Sequence, residues 1–410
     1  MREILFLCHR IPFPPDRGDK IRSHNVLKRL MRLAPVHVAT FADDDFDMGE
    51  EAELAAAASS YRLVRRAKPL VLAGLQALAQ KRPVSLTAFH DSTIAAYVEE
   101  LLATRPIAAI YVFSGQMGQY VPESFSGRVI ADFVDVDSAK FEGYAIRKGA
   151  TGWIDGREAR LLRAEEARIA ARANVSLLVS RAEAELFASR LPADVRGQTD
   201  VRALCNGIDS LTFDPALVAP ETRMLDCPGP RFIFTGQMDY APNIAAAKRI
   251  IGCILPLVRR EWPEATFHVV GRNPTPELLR HDGENGCHIW GRVNDVRPWL
   301  KAADLALVPL DIARGIQNKV LEAMSMALPV VLTGSAATGI DATDGEHFIV
   351  ADSDAALAAA VLDLLNDHRA GDKLGVAARR FVTENASWQS ALAPLPELLA
   401  LPRGLVRDAA

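Results

Sequence analysis

The stretch that decides the fold is Arg314-Gly-Ile-Gln-Asn-Lys319-Val-Leu-Glu322-Ala-Met-Ser-Met-Ala-Leu-Pro329-Val-Val331. The apolar run Leu305–Leu310 precedes it and reads as a buried strand. A loop with Gly315 follows, then a helical pattern that starts near Gln317 and must stop before Pro329. A second apolar run, Pro329–Thr333, reads as the next strand. Strand, helix and strand in that order form the repeating unit of a doubly wound parallel sheet. The free N–H groups and the positive dipole end make the start of this helix a site for phosphate. Lys319 falls in its first turn, where a cation is unfavourable unless an anion lies near. Glu322 follows three residues on, along the same face. A carboxylate there can accept two hydrogen bonds from a ribose diol, as the acidic residue of dinucleotide-binding folds does. The other reading, an exposed glutamate and a solvated lysine at an ordinary helix start, fits these two residues equally well.

The same alternation extends in both directions. Upstream, Arg231–Gly236, Thr266–Gly271 and His288–Gly291 read as strands, and His347–Ala351 closes the series downstream. The first half repeats the pattern with Ile4–Cys8, Val36–Phe41, Ile107–Phe113, Val129–Val134 and Val175–Ser180, which are apolar on both faces. A helix begins after Asp19, and another runs from about Trp153 to Ala173. Between the halves, Pro215, Pro220, Pro228 and Pro230 break any period and mark a linker. The chain thus reads as α/β: residues 1–214 as one Rossmann-like domain, 215–230 as linker, 231–385 as a second, and 386–410 as a terminal helix that packs back toward the first. Two such domains would face each other across a cleft at the carboxyl ends of their strands, where open α/β sheets bind ligands.

Bulk properties agree with this and exclude other classes. The chain has 410 residues, 49% hydrophobic and 24% charged, enough to build two cores. A net charge of -4 argues against a nucleic-acid partner held by a broad basic surface. The five cysteines are scattered, so no disulfide framework or zinc cluster is expected, and reduced thiols suit a cytoplasmic protein. The opening apolar run is too short for a secretory signal and reads as a first strand. No stretch approaches the length of apolar sequence that spans a bilayer. No G-x-G-x-x-G follows the first strand and there is no phosphate-loop lysine motif, which disfavours a nicotinamide or flavin enzyme and an ordinary NTPase. Neither G-x-S-x-G nor H-E-x-x-H occurs. Asp135-Val-Asp137 and Asp43–Asp45 match the D-x-D pattern of metal-dependent sugar transfer, but such tripeptides arise often by chance.

Several pieces then stand in a familiar order: Asn206-Gly207-Ile208-Asp209, Gly236 to Asn243, Val270-Gly271-Arg272-Asn-Pro274, Gly291-Arg292-Val293-Asn-Asp295-Val296, Ala303-Asp304, and Asn318-Lys319-Val-Leu-Glu322-Ala-Met with Pro329-Val-Val331. Together they resemble retaining glycosyltransferases of the family-4 type, which have the GT-B fold. Pro12-Phe-Pro-Pro-Asp-Arg17-Gly18-Asp-Lys20-Ile-Arg22, with Asp132-Phe-Val-Asp-Val-Asp-Ser138, is most similar to the sugar transferases of exosortase/PEP-CTERM exopolysaccharide systems. The resemblance implies that Glu322 holds the donor ribose. Lys319 and the backbone of Gly315, Ile316, Gln317 and Asn318 would hold the pyrophosphate. Gly291, Arg292 and Val293 would line the base pocket, and Gly236 would let the first turn of the second domain approach the donor. Arg17, Gly18 and Lys20 would form a loop touching phosphate and acceptor. No metal or other cofactor is expected, the helix dipole and Lys319 replacing a divalent cation.

The chain also departs from that family. Arg314 stands where a second glutamate is common, and Gln237 and Asn243 occupy a region that often holds Arg and Lys. Ser114 follows the fourth strand in place of histidine, as a sugar or acceptor contact or as a helix cap. A nucleotide-sugar epimerase and a non-catalytic nucleotide-sugar-binding partner are the alternative functions. The expected partners are a nucleotide sugar and a lipid-linked or saccharide acceptor. Finally, residues 62–82 set Arg62, Arg65, Arg66 and Lys68 at one end and Lys81 and Arg82 at the other, around Leu70, Val71, Leu72, Leu75 and Leu78, with no acidic residue. This reads either as a helix that docks on the inner face of a membrane or as a core-facing helix with solvated flanks.

Overall fold

The computed structural model describes residues 2–145, 150–313 and 316–400. It consists of two compact units, Met1–Asn206 with Leu392–Ala410, and Gly207–Ala391. In the first, seven parallel strands lie in the order β3-β2-β1-β4-β5-β6-β7. They are β1 Glu3–Cys8, β2 Val36–Ala42, β3 Ser60–Arg65, β4 Ile107–Phe113, β5 Arg128–Val134, β6 Val175–Leu178 and β7 Val201–Ala203. In the second, six parallel strands follow the order β10-β9-β8-β11-β12-β13. These are β8 Arg231–Thr235, β9 Thr266–Val270, β10 Cys287–Gly291, β11 Leu305–Val308, β12 Val330–Leu332 and β13 Ile349–Val350. Each order reverses direction once, between β1 and β4 and between β8 and β11. At such a point neighbouring connections leave on opposite faces and open a crevice beyond the carboxyl ends of the strands. The two-sheet α/β architecture expected from the sequence is the one observed.

The edge strands β3 and β7 escaped the sequence reading. β3 runs in register with β2, Ala39 opposite Arg62 and Ala42 opposite Arg65. Its residues are half-buried or exposed, so it lacks the unbroken apolar run that marks a central strand. The segment read as a possible interfacial helix from residue 62 therefore starts as an edge strand, and its helix is Leu70–Gln80. The stretch read as a linker, 215–230, belongs to the second unit: Met224 is fully buried, and Arg223 lies over the rings of Trp290 and Trp299. The division falls at Asn206/Gly207 rather than near 214, and the chain rejoins the first unit at Leu392 rather than at 386. There Arg128 donates to the carbonyl of Leu398. A continuous helix over Ala241–Val258 is long and apolar enough to cross a membrane. It is instead the crossover after β8, seating Ala247, Ile250, Ile254 and Val258 in the core of the second sheet and carrying Lys248 and Arg249.

The first unit is tied internally by buried charge. Arg22, on the helix Gly18–Met31, is 1% exposed and donates to both carboxylate oxygens of Asp132 on β5, each at 3.1 Å. Tyr111 on β4 donates to the same carboxylate at 2.7 Å, and Arg22 also reaches the amide oxygen of Asn206 at 2.9 Å. One guanidinium thus joins the first helix, two central strands and the last residue of the unit's main segment. Burial and the neighbouring carboxylate push the Tyr111 hydroxyl far above its ordinary pKa, so it stays a donor. Replacing Asp132 by Asn should leave the Arg22 charge buried without compensation and cost about 3–5 kcal/mol. The expected result in urea titration is an earlier transition of the first unit with that of the second unchanged. A variant as stable as the parent would show that this pair does not hold the unit together.

Candidate functional site

The second sheet's switch point is built by three glycines. Gly236 follows β8 with φ +148°, Gly271 follows β9, and Gly291 ends β10 with φ +69°. Backbone bonds lace them across the strand ends: the Gly236 N–H donates to the Val270 carbonyl at 3.1 Å, and the Gly271 N–H to the Gly291 carbonyl at 2.9 Å. A Cβ on Gly271 would stand 1.6 Å from the Gly236 carbonyl oxygen, so no larger residue fits there. A Cβ on Gly236 would stand 2.9 Å from the Asn243 amide nitrogen and 3.0 Å from the Lys319 ammonium. The bare backbone at 236 is thus what leaves room for Lys319.

Lys319 comes from the other side of the switch point, in the first turn of the helix Asn318–Ser325 after β11. Its ammonium donates to Asn243 Oδ1 at 2.5 Å and lies 4.5 Å from the centre of the Phe234 ring. Asn243 is itself fixed, its amide donating to the Gln237 carbonyl at 2.9 Å, while Arg272 holds the Gln237 side chain at 2.9 Å. Burial pulls the Lys319 pKa down to about 8, against the pull of Glu322. Burial likewise pushes Glu322 up to about 7, with Lys319 opposing. The reading of these residues as a solvated lysine and an exposed glutamate is therefore overturned. Both are partly buried, and both are shifted toward neutrality. Such a pair beside an open helix N-terminus is poised for a ligand that restores the charges: an anion for the lysine, and hydroxyl donors for the carboxylate.

The other expected donor contacts are spread around this centre. Gly291 and Val293 lie at and just after the end of β10, Val293 packing on the core, and Arg292 is exposed. Ile316 packs on the core, with Gln317 and Asn318 leading into the helix. Arg314 and Gly315 lie outside the described residues. Sequence reasoning missed Asn243 and Phe234 as the groups that hold Lys319. Phe234 carried no signal beyond that of a core strand. Asn243 stood within a recognised motif, but as a substitute for a cation rather than as a cation's acceptor.

In the first unit the expected loop residues are differently occupied. Lys20 is corrected from a phosphate contact to a buried ion pair. It is 3% exposed and donates to Asp47 at 2.5 Å and to the Phe13 carbonyl at 3.0 Å. Arg17 pairs with Asp19 at 2.9 Å, and Gly18 opens the helix with open space around it. Ser114 does not cap the turn that follows it: its hydroxyl bonds the Gln116 side chain, and its backbone takes a left-handed φ of 76°. Asp135 and Asp137 share Lys140, at 2.9 and 3.2 Å. Asp43 receives Arg10 and Arg66, at 2.5 and 2.8 Å, and Asp45 receives Arg65 at 2.6 Å. Among the described residues no group of three His, Cys, Asp or Glu side chains is placed to hold a metal. His9, at the end of β1, went unnoticed as one isolated histidine among nine. Its ring stacks on Phe113 at 5.8 Å and its Nε2 faces Asp19 at 3.4 Å, while its buried Nδ1 has no partner.

Residues 229–367, which contain the switch-point glycines and Lys319 and Glu322, match the model of the family described as glycosyl transferases group 1. The chain is 26% identical over 270 residues to glycogen synthase from two strains of Mycobacterium tuberculosis, a match over 62% of this chain. It spans 61% of the length of those curated relatives. Among solved structures it is similar to Anabaena HepE in complex with UDP-glucose, with TM-score 0.62 and 14% identity over 98% of this chain and 100% of that one. Sucrose-phosphate synthase from Thermosynechococcus elongatus gives TM-score 0.62 and 16% identity over 98% of each chain. Identities this low establish the fold. The match to that family's model lies within the second unit, and the solved neighbours show the GT-B fold.

Proposed function

We propose that the chain is a glycosyltransferase that takes a sugar from a nucleoside-diphosphate donor, retains the anomeric configuration and uses no metal. The observation that carries this is the partly buried pair Lys319 and Glu322 at the mouth of the helix Asn318–Ser325, beside the glycine-cleared backbone of Gly236. A pyrophosphate laid on that helix N-terminus would meet its free N–H groups and the Lys319 ammonium. As the bond between sugar and phosphate breaks, negative charge gathers on the diphosphate, and Lys319 is fixed where it can take that charge without reorganising. Glu322, once ionised, accepts from the two ribose hydroxyls and sets the register of the nucleotide. Arg314 is the further cation proposed for the donor. HepE, seen with UDP-glucose, supports a uridine nucleotide as the first donor to try. Retention follows the resemblance to family-4 enzymes. A lipid-linked or saccharide acceptor follows the exopolysaccharide resemblance, with Arg17, Gly18 and Ser114 on the acceptor side. Incubation with a panel of nucleotide sugars, followed by assay of nucleoside diphosphate release, tests the reading. No release or binding of any nucleotide sugar would refute it.

The two shifted groups set a pH window. Glu322 must be ionised to accept two hydroxyls, which favours binding above about 7, and Lys319 must be protonated, which favours it below about 8. Nucleotide affinity should therefore peak between those values, with proton release on binding at the acid edge and proton uptake at the alkaline edge. Calorimetry in buffers of different ionisation enthalpy reads both. In Glu322→Gln the acid limb should vanish, and an unchanged profile would show that Glu322 does not touch the nucleotide.

Glu322→Ala should weaken donor binding by about 1.5–3 kcal/mol, the worth of hydrogen bonds to a charged group, in a protein that remains folded. Lys319→Ala should cut turnover by about 10²–10³, as removal of one charge-stabilising group does. Activity should persist in excess EDTA. Loss of activity on chelation would overturn the metal-free mechanism.

A further inference from the structure

The helix Leu70–Gln80 is built inside out. Its alanines Ala73 and Ala77 face the protein and are 0% exposed. Its large side chains, Leu70, Val71, Leu72, Leu75 and Leu78, point away and are 53–76% exposed. A core-facing helix would do the reverse, because burying leucine gains far more than burying alanine. No charged residue lies within the helix. The helix Ala150–Arg172 lies beside its C-terminal end, where Arg157 donates to the carbonyls of Ala77 and Arg82. One turn before it, Trp153 and Ile154 are 67% and 52% exposed. Monomeric surfaces seldom leave so many large apolar side chains in water on one helix and its neighbour.

The charges around this surface choose its partner. Arg65 and Arg66 are already paired with Asp45 and Asp43. Lys68 is held by the carbonyls of Thr87 and His90, Arg82 by the Gln119 amide, and Arg157 by carbonyls, and among the described residues none of the three has a carboxylate ion pair. Lys81 stands beside them at the helix end. An apolar patch edged by uncompensated cations matches a surface with apolar depth and anionic head groups. A second copy of the chain would bring the same cations against themselves across a two-fold axis.

We infer that the face made by Leu70–Gln80 with Trp153 and Ile154 docks the first unit reversibly on an anionic lipid bilayer, inserting its leucines at the acyl boundary. The docking goes beyond the transfer reaction and is measured without nucleotide, so either reading can fail alone. The full chain is floated with phosphatidylcholine vesicles with and without phosphatidylglycerol, at low and high salt. Binding is expected only with the anionic lipid, and should fall with salt. Leu72→Gln with Leu75→Gln changes two exposed positions and should lower binding about tenfold or more. Lys81→Asn with Arg82→Gln should lower it about 30-fold, two cations' worth; Asn is chosen because Lys81 has a left-handed φ of 54°. Absence of binding to anionic vesicles at low salt overturns the inference, as does binding that neither double variant weakens. A dimer in sedimentation velocity that is abolished by the leucine substitutions, in a chain that ignores vesicles, assigns the face to a second copy and also overturns it.

Discussion

An ammonium group held out of water by an amide oxygen and an aromatic ring is the constraint around which the second unit is arranged. Lys319 gets from Asn243 and Phe234 only part of what water would give it, and burial lowers its pKa accordingly. Everything near it serves to keep it there. A side chain at Gly236, whose φ is +148°, would crowd the ammonium and the Asn243 amide, and Gly271 must lack one for the Gly236 carbonyl to fit. Asn243 is turned toward Lys319 because its amide nitrogen is spent on Gln237. A residue held in a costly state by so many others marks a place where the missing interaction comes from outside the chain.

The two switch points contrast in charge. Beside that of the first sheet, cations and carboxylates are paired with one another: Arg10 and Arg17 with Asp19 and Asp43, Lys20 with Asp47, Arg22 with Asp132, Lys140 with Asp135 and Asp137. Such a frame is rigid and fully compensated, and an anion entering it would have to break a pair. At the second switch point Lys319 has no such carboxylate partner among the described residues, and this contrast supports the proposed placement of the donor phosphates there. Among the buried groups of the first unit without a partner is His9 Nδ1, and β4 and β5 end in the left-handed residues Ser114 and Val134. A β-branched residue such as Val134 rarely takes a positive φ, and strain of that kind gathers near functional surfaces.

What the sequence made legible followed from one-dimensional order. Central strands such as Ile107–Phe113 and Thr266–Val270 are apolar on both faces, and that signature survives without any tertiary information. Edge strands β3 and β7 have one side in water and lost it. Lys319 and Glu322 were legible as candidates because helix position alone makes a first-turn lysine anomalous. Their burial was not, since it depends on Phe234 and Asn243, 85 and 76 positions away in the chain. Lys20 failed for the opposite reason. In a glycine-bearing loop beside Arg17 it looked free, and only the fold brings Asp47 to it.

The helix Leu70–Gln80 shows where periodicity stops informing. Leucines at 72, 75 and 78 and alanines at 73 and 77 both recur at helical spacing, so the sequence contains two faces and does not say which is inside. Packing decides by size: the narrow gap against the domain admits Ala73 and Ala77, which forces the leucines out. Such a helix is weak by itself. It has 11 residues, and Gly74 sits in its middle with open space around it, so no close packing calls for a glycine there. An interior glycine costs about 1 kcal/mol against alanine, and helices this short are marginal in water. Its inner face buries only the small side chains of Ala73 and Ala77, with hydrogen bonds from Thr87 and Arg157 to their carbonyls. An apolar medium on the outer face would supply what the inner face lacks, so the helix should be most stable when both sides are covered.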